Sequence, residues 1–367
     1  MKSGGPLTRL PEFPWDSLAD DAARARKHAD GIVDLSVGTP VDPTPLLVQH
    51  ALADGADSPG YPTTHGTDAV RQAASRWMVR AAGAVQVDPA DVLPVIGTKE
   101  FVAWLPTMLG LGAADRVIVP ELAYPTYDVG ARMCGAEPVV TDSLTAVGPA
   151  PIALVWVNSP SNPTGRVLPV EHMRKVVDWA RERGALVVSD ECYLELGWTE
   201  QPVSVLDPRV CGGSTEGVLA VHSLSKRSNL AGYRFGFVAG DPEVVRSLLA
   251  LRKHLGMIVP GPIQGAAVAA LDDDVHVVEQ KARYGRRREV LLGALSTAGF
   301  EIEHSEAGLY LWATRSEDAW STVRWLADRG ILVAPGTFYG AAGARHVRIS
   351  LTASDERIDA AVLRLAV

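Results

Sequence analysis

The chain has 367 residues, of which 47% are hydrophobic and 21% are charged, and its formal net charge is −8. This balance is typical of a soluble globular protein and excludes a disordered chain, while the length predicts two domains because single cores stop growing near about 250 to 300 residues. The acidic charge and the absence of a long basic run argue against nucleic acid or an anionic membrane as a partner.

The three cysteines, Cys134, Cys192 and Cys211, are far apart and form no CxxC pair, which argues against a zinc ribbon or a disulfide framework. The first residues contain no apolar signal core, and no apolar stretch reaches the roughly 20 residues of a membrane span. No histidine spacing suits a metal ion. We therefore expect a cytoplasmic protein without membrane contact and without a metal.

The predicted elements fall into three parts along the chain. Residues 1–40 are rich in proline, and we expect an N-terminal arm that contributes to a small domain and to the active site. In residues 41–245, amphipathic helical stretches alternate with short apolar runs. Those runs are DVLPVIG, DRVIVP, EPVVTD, IALVWVNSP, ALVVSDE and VLAVHSLS. This alternation predicts an α/β large domain with a mostly parallel sheet between helices.

The pattern changes after residue 245. A long helical region is followed by LYLWAT, ILVAPG and HVRISLT, which are typical of strands. We interpret residues 246–367 as a smaller α+β domain.

Polar residues follow the apolar runs of the large domain, at the point where each run ends. Sites in open parallel sheets lie at the carboxyl ends of strands, so these residues should meet in one active site. A single lysine is usually a solvated surface residue. Lys226 differs because it follows a strand and precedes a glycine-containing turn, where burial would make its amine neutral and nucleophilic.

The segment SLSKRSNLAGYRFG, from Ser223 to Gly236, resembles the SxSK…GxRxG motif of fold-type I aminotransferases. These enzymes depend on pyridoxal 5'-phosphate (PLP). The resemblance extends in family order from about Leu35 to Leu351 and implies the PLP-transferase fold type I. It also implies that Lys226 carries the cofactor covalently and later acts as the general base, and that Ser223 and Arg234 bind the phosphate.

Two further motifs match the family around the cofactor ring. VSDECY implies that Asp190 pairs with the pyridine nitrogen and that Tyr193 binds the phenolic oxygen. A carboxylate beside the ring nitrogen favours its protonated form, which draws electrons from the reacting carbon. NSPSNPTG implies that Asn162 binds the same oxygen and contacts the substrate. Taken alone, an aspartate at a strand end is more often a helix cap, and this turn composition is common.

Three segments match family positions around the phosphate and the ring face. VIGTKEFVAWL places Gly97, Thr98 and Lys99 at a helix start, where backbone N–H groups bind phosphate. PELAYPTY implies that Tyr124 stacks on the pyridine ring, although a core tyrosine in a turn is the alternative. GYPTTHG implies that Tyr61 reaches the phosphate of a neighbouring subunit, and hence a homodimer with shared active sites.

The substrate contacts implied by the resemblance come from both ends of the chain. Arg348, in HVRISL, matches the arginine that binds the substrate α-carboxylate, for which a planar guanidinium is suited. The alternative interpretation is that Arg348 is a surface arginine on an edge strand. Gly38, in LSVGTP, matches the glycine that lets the backbone approach the substrate.

The resemblance implies amino-group exchange between glutamate and 2-oxoglutarate on one side and another amino and oxo acid on the other. SLSKRSN and the short N-terminal region are similar to N-succinyldiaminopimelate aminotransferases of lysine and diaminopimelate biosynthesis. The substrate would then be N-succinyl-LL-2,6-diaminopimelate, with Arg227 and Lys99 as candidates to bind its additional carboxylates.

Three alternatives remain open. One is an aminotransferase for aromatic or branched amino acids, and another is a carbon–sulfur β-lyase on the same scaffold. The third is a cofactor-sensing regulator. That reading needs an attached DNA-binding region, for which the N-terminal stretch is too short.

Overall fold

The computed structural model describes residues 10–366 of the chain. Its strands are β1 (Val33–Asp34), β2 (Val92–Val95), β3 (Arg116–Val119), β4 (Glu137–Val140), β5 (Leu154–Asn158), β6 (Leu186–Asp190), β7 (Val218–Ser223), β8 (Gly236–Gly240), β9 (Glu301–Glu303), β10 (Tyr310–Thr314), β11 (Ile331–Leu332), β12 (Ala334–Pro335) and β13 (His346–Ser350). Its helices are α1 (Ala19–Ala25), α2 (Leu46–Asp54), α3 (Asp68–Ala82), α4 (Thr98–Met108), α5 (Thr126–Cys134), α6 (Val170–Arg181), α7 (Pro208–Cys211), α8 (Leu224–Arg227), α9 (Pro242–Leu255), α10 (Gly261–Asp272), α11 (Val275–Thr297), α12 (Ala319–Ala327) and α13 (Asp355–Leu365).

Seven strands form the central sheet, in the order β2-β8-β7-β6-β5-β3-β4. Neighbouring strands are parallel from β7 to β4, whereas β8 runs antiparallel to both β7 and β2. Every residue of β5, β6 and β7 is buried, because helices cover both faces and the strand sequences are almost continuously apolar. The predicted α/β architecture with a mostly parallel sheet is confirmed.

The helices that cover this sheet follow simple sequence rules. In α6, the buried residues Met173, Val176, Val177 and Ala180 recur at helical spacing and form one apolar face. Helix α3 begins after Thr67, whose hydroxyl accepts a hydrogen bond from the Val70 N–H, and it ends at Gly83 with φ 64°. These two caps fix both ends of α3 to within a residue or two.

A second, smaller body contains a four-stranded antiparallel sheet in the order β12-β13-β10-β9. Helices α11 and α13 pack together against it. The N-terminal segment joins this body, because β1 pairs in parallel with β11 and α1 packs on α12. Residues 1–9 of the predicted arm lie outside the described residues.

The helices after β8 do not all belong to the smaller body. Helix α9 packs against β2 and β8, and α10 packs against α2 and α3. Helix α11 is the first to contact α13 and β9. The boundary predicted at residue 245 stays a prediction, and the helices α9 and α10 that follow it contact elements of the large body.

Across residues 10–366, none of the helices has the length and apolar character required to cross a bilayer.

Candidate active site

A cavity of about 980 Å³ opens at the carboxyl ends of β5, β6 and β7. Its walls come from these strand ends, from the start of α4, from β10 and β13 of the smaller body, and from the N-terminal segment around Phe13. Eleven of the thirteen predicted site residues line it. They are Gly38, Thr98, Lys99, Tyr124, Asn162, Asp190, Tyr193, Ser223, Lys226, Arg234 and Arg348.

Lys226 is presented to this cavity by a helix of only four residues. Helix α8 begins directly after β7, and the Ser223 hydroxyl accepts a hydrogen bond from the Ser225 N–H at 3.1 Å. The Lys226 amine donates a hydrogen bond to the Gly38 carbonyl oxygen. Burial lowers the pKa of Lys226, because the charged form is poorly solvated there. A lysine with a lowered pKa is available as a nucleophile and as a base.

Asp190 stands at the end of β6 with its carboxylate held from two sides. The Tyr127 hydroxyl donates to Oδ2 at 2.8 Å, and the Cys192 N–H donates to Oδ1 at 3.2 Å. Burial raises the pKa of Asp190, while the hydrogen bonds from Cys192 and Tyr127 oppose that rise. The carboxylate is thus fixed in one orientation, as a partner of a protonated ring nitrogen must be.

Tyr127 was not predicted as a site residue. Its ring is completely buried and stacks on Trp156, with the centroids 4.8 Å apart. In the sequence it stands three residues after Tyr124, in the first turn of α5. Nothing in that local pattern says which carboxylate its hydroxyl would meet.

A cradle suited to phosphate lies at the start of α4. Gly97 precedes this helix with φ 88°, and no side-chain cap hydrogen bond is formed at the helix start within the described part of the chain. The Arg234 guanidinium lies against Gly97 so closely that a Cβ at this position would overlap it. Ser223 and Ser225 line the same cavity as Arg234 and Thr98. Backbone N–H groups at a helix start, an arginine and hydroxyls together are the usual ligands of a phosphate group.

Arg348 lies at the centre of β13, and its side chain is almost completely buried. Its Nη2 donates to the Ser36 carbonyl at 2.7 Å, and its Nη1 donates to Asn162 Oδ1 at 2.9 Å. The guanidinium lies 3.9 Å from the ring centroid of Tyr310 and 4.8 Å from that of Tyr339. Its Nε has no hydrogen-bond partner within residues 10–366. A carboxylate entering the cavity would satisfy this buried donor.

Gly38 meets a tyrosine that the sequence did not single out. A Cβ at residue 38 would overlap the hydroxyl of Tyr310, which in turn lies 3.1 Å from the Tyr193 hydroxyl. The family resemblance implies a glycine at residue 38 because it lets the backbone approach the substrate. The structure adds a second reason, which is room for the Tyr310 hydroxyl. Tyr310 belongs to LYLWAT, where the alternation of a strand predicts burial but not the group opposite.

Two predicted cofactor residues do not line the cavity. Gly97 is packed against the guanidinium of Arg234, which does line the cavity. Tyr61 is fully exposed, so its predicted contact with a neighbouring subunit stays a prediction. Lys99 does line the cavity, but its side chain is exposed, with Nζ 5.4 Å from the ring centroid of Phe13. The part of Lys99 that could bind phosphate is therefore its backbone N–H, which lies in the first turn of α4.

Arg227 does not face the cavity. Its side chain is 4% exposed, forms an ion pair with Glu195, and donates to the Ala270 carbonyl at 2.9 Å. The hypothesis that Arg227 binds a substrate carboxylate is therefore wrong, because its guanidinium is already paired inside the fold. His222, the other polar neighbour of this segment, points into the core against Trp77 and Phe237.

The residues present fit PLP. One cavity is lined by the Lys226 amine, by the fixed carboxylate of Asp190, by the arginine and hydroxyls of the phosphate cradle and by the ring of Tyr124. The cradle is specific in shape, because residue 97 must be glycine for Arg234 to reach it.

Comparison with known proteins gives the same assignment. Residues 30–365 match the family model for aminotransferase class I and II. A probable aminotransferase of Mycobacterium tuberculosis is 62% identical over 99% of this chain and 87% of its own length. The 4-dedimethylamino-4-oxo-anhydrotetracycline transaminase OxyQ of Streptomyces rimosus is 58% identical over 98% of this chain and 100% of its own.

More distant relatives extend this picture. An LL-diaminopimelate aminotransferase of Dehalococcoides mccartyi is 31% identical over 100% of this chain and 98% of its own. The crystal structure of an aminotransferase from Neisseria meningitidis superposes with a TM-score of 0.90 at 28% identity, covering 100% of this chain and 98% of the other. The chain belongs to the class I and II aminotransferases and is a PLP-dependent transaminase of fold type I.

Proposed function

We propose that the protein exchanges an amino group between glutamate and N-succinyl-2-amino-6-oxopimelate, so that N-succinyl-LL-2,6-diaminopimelate is its amino-acid substrate. The observation that carries this proposal is that two of the four cationic residues lining the cavity, Arg348 and Lys99, are left over after Lys226 is assigned to the cofactor and Arg234 to its phosphate. Arg348 is buried, with an Nε that has no hydrogen-bond partner among residues 10–366, and Lys99 stands exposed at the mouth of the cavity. A substrate with one α-carboxylate and further distal carboxylates would meet both.

Two other observations support this substrate. The cavity, at about 980 Å³, is large enough for an extended amino acid. Relatives at 31% identity are named for LL-diaminopimelate, which has the same carbon skeleton without the succinyl group.

In this proposal the chain's own residues divide the work. Gly97, Thr98, Ser223 and Arg234 would hold the phosphate of PLP, and Asp190 would pair with its ring nitrogen. Bound PLP supplies an electron sink that weakens the α-C–H bond of the substrate. Arg348 fixes the α-carboxylate, and this contact aims the α-hydrogen at Lys226. The Lys226 amine takes that proton as general base and later returns it.

Asn162 and Tyr193 would both bind the phenolic oxygen of the cofactor, and Asn162 also contacts Arg348. The Asn162 side-chain oxygen accepts from Arg348, while its Nδ2 group would donate to the phenolic oxygen of the cofactor. That single amide would thereby link the substrate clamp to the cofactor. The Tyr193 hydroxyl would donate to the same oxygen from the other side.

A second candidate rests on a different observation. The chain is 58% identical to OxyQ over the whole of that enzyme, whose name specifies a polycyclic tetracycline ketone. Phe13 and Trp15 line the mouth of the cavity, and aromatic rings there could stack on a flat polycyclic substrate.

A substrate panel tests both candidates. The purified holoenzyme would be given 2-oxoglutarate with N-succinyl-LL-diaminopimelate, LL-diaminopimelate, an aromatic and a branched amino acid, and glutamate formation would be measured. Anhydrotetracycline ketone with glutamate and cystathionine alone complete the panel. We expect the highest kcat/KM with the succinylated substrate. A higher value for the tetracycline ketone would replace the first candidate, and thiol release from cystathionine would indicate a β-lyase.

A further inference from the structure

The two residues that end the SLSKRSN segment, Ser228 and Asn229, have no role in the proposed function, and neither lines the cavity. Helix α8, which carries Lys226, is a single turn closed by a hydrogen bond from the Ser228 N–H to the Leu224 carbonyl at 3.2 Å. One turn of helix is not stable without tertiary contacts. The direction in which Lys226 points must therefore be set by the groups that hold this turn from outside.

Helix α11 presents a buried polar stripe to the end of α8. The stripe consists of His276, Gln280 and Tyr284, which are four residues apart and so share one face of the helix. The His276 Nε2 lies 2.8 Å from the Ser228 hydroxyl oxygen. The Asn229 Nδ2 donates to Gln280 Oε1 at 2.9 Å, and the Tyr284 hydroxyl donates to Asn229 Oδ1 at 3.3 Å. Each member of the stripe thus bonds one of the two residues that follow α8.

Asn229 also contacts a third segment of the chain. Its Nδ2 donates to the Pro43 carbonyl at 3.3 Å, and its own carbonyl accepts from the Thr44 hydroxyl at 3.3 Å. Gln280 reaches the same segment, with Nε2 donating to Asp42 Oδ2 at 2.7 Å. Asn229 therefore joins the turn that carries the reactive lysine both to α11 of the smaller body and to residues 42–44.

The backbone at residue 229 separates the contribution of the side chain from that of the main chain. Asn229 has φ 54°, in the left-handed region that asparagine tolerates and that glycine adopts most easily. The conformation alone would be served by glycine. Asparagine adds a side chain with both a donor and an acceptor, and both are used on α11.

We propose that Asn229 is a positioning residue for Lys226, holding the one-turn helix α8 through the polar stripe of α11. Its side chain sets the direction from which the Lys226 amine meets the α-hydrogen of the substrate. Loss of this side chain should slow proton transfer and leave binding of the substrate carboxylate by Arg348 intact. The inference rests on the role proposed for Lys226 and is independent of which substrate the enzyme prefers.

The direct test is Asn229→Gly in the holoenzyme, because glycine keeps the left-handed backbone and removes only the side chain. We expect kcat per bound PLP to fall by about 10²-fold, since a small misplacement of a reacting group has an effect of this size, with little change in KM. The kinetic isotope effect on kcat for an α-deuterated amino acid should rise, because proton transfer becomes slower than the other steps.

Ser316→Gly is the matched control. Ser316 also has a left-handed backbone, with φ 58°, but it is exposed and lies away from the cavity. Its replacement should leave kcat and the isotope effect unchanged.

A milder variant tests the same contact from α11. Tyr284→Phe removes only the hydroxyl that donates to Asn229 Oδ1. We expect kcat to fall by about five-fold, the usual contribution of one hydrogen bond, and the isotope effect to rise as in Asn229→Gly.

A second readout needs no turnover. Circular dichroism in the visible absorption band of the bound cofactor reports how the cofactor is held by its lysine, and the Tm is measured on the same samples. We expect both variants to change the visible signal at temperatures well below their Tm.

The proposal is overturned if both variants lower the Tm while the isotope effect and the visible signal stay those of the wild type, because Asn229 would then only pack α8 against α11. Attachment of the cofactor to a lysine other than Lys226 would instead refute the role proposed for Lys226, so the two failures can be told apart.

Discussion

The floor and the mouth of the cavity differ in hydrogen bonding and in exposure to solvent. The floor comprises Asp190, Ser223 and Lys226 at the carboxyl ends of adjacent strands, and each of these polar groups has a defined hydrogen-bond partner. The mouth comprises Phe13, Val37 and Lys99, which are exposed. A buried polar group without a partner is costly, so the floor is fixed in geometry, whereas exposed groups can change at little cost. The difference indicates that the floor determines the reaction and the mouth determines the substrate.

The largest effect should come from the floor. Lys226→Ala removes the only amine placed there by helix α8, so we expect turnover to fall by about 10⁴-fold, at the upper end of general acid–base contributions. The measurement is single-turnover formation of the oxo-acid product by the purified variant. Lys175→Ala, on the exposed face of α6, is a suitable control with full activity. Turnover in Lys226→Ala within a few fold of the wild type would contradict the comparison.

The next largest effect concerns Arg348, which is proposed to bind the substrate α-carboxylate. Arg348→Lys keeps the charge but loses the planar fork that reaches Ser36 and Asn162, so the substrate carboxylate would lose its paired contact. We expect kcat/KM to fall by about 10²-fold for every amino acid tested, because a hydrogen bond between charged groups contributes about 1.5 to 3 kcal/mol. A loss limited to one substrate would mean that Arg348 reads side chains instead of the shared carboxylate.

A smaller effect should follow from removing one hydrogen bond of the cavity floor, the bond from Tyr127 to Asp190. Tyr127→Phe removes one of the hydrogen bonds that lower the pKa of Asp190, so that pKa should rise further above its ordinary value. The active carboxylate form is lost as the pH falls through this pKa, and the acid limb of the rate profile should therefore move to higher pH. We expect about a ten-fold loss at neutral pH, equivalent to roughly 1.4 kcal/mol. A rate profile that superposes on the wild type would exclude the role assigned to Tyr127.

The smallest effect belongs to the mouth. Lys99→Met should lower kcat/KM for the tricarboxylic N-succinyl-LL-diaminopimelate by about three- to five-fold, since exposed ion pairs contribute at most about 1 kcal/mol. Alanine, which has no distal carboxylate, should be unaffected. Lys99→Arg is the matched control because it preserves the charge. Equal losses for both substrates would instead indicate that Lys99 supports the phosphate cradle.

The floor could be predicted from sequence because its residues stand directly after strands, where a parallel sheet brings them to one edge. Tyr127 and Tyr310 could not be predicted in the same way. Their roles depend on the group opposite each hydroxyl, which is Asp190 in one case and Tyr193 in the other, and these contacts span 63 and 117 residues. Local sequence carries no information about such distant partners.

Two other predictions show the same limit. Arg227 follows the reactive lysine and was a natural candidate for substrate binding, yet its partner Glu195 lies 32 residues away and holds it in the interior. The boundary predicted at residue 245 depends on where the strand alternation stops. Helical spacing alone cannot tell which core α9 and α10 cover, and both helices contact elements of the large body.

The central claim is that Lys226 on the cavity floor carries the cofactor, and one measurement tests it directly. The purified holoenzyme would be treated with borohydride to make the link between PLP and protein permanent, then digested and analysed by peptide mass spectrometry. The account predicts that the mass of the reduced cofactor is found on Lys226, within the segment from Ser223 to Arg234. Cofactor attached to another lysine, or recovered entirely free of the protein, would contradict it.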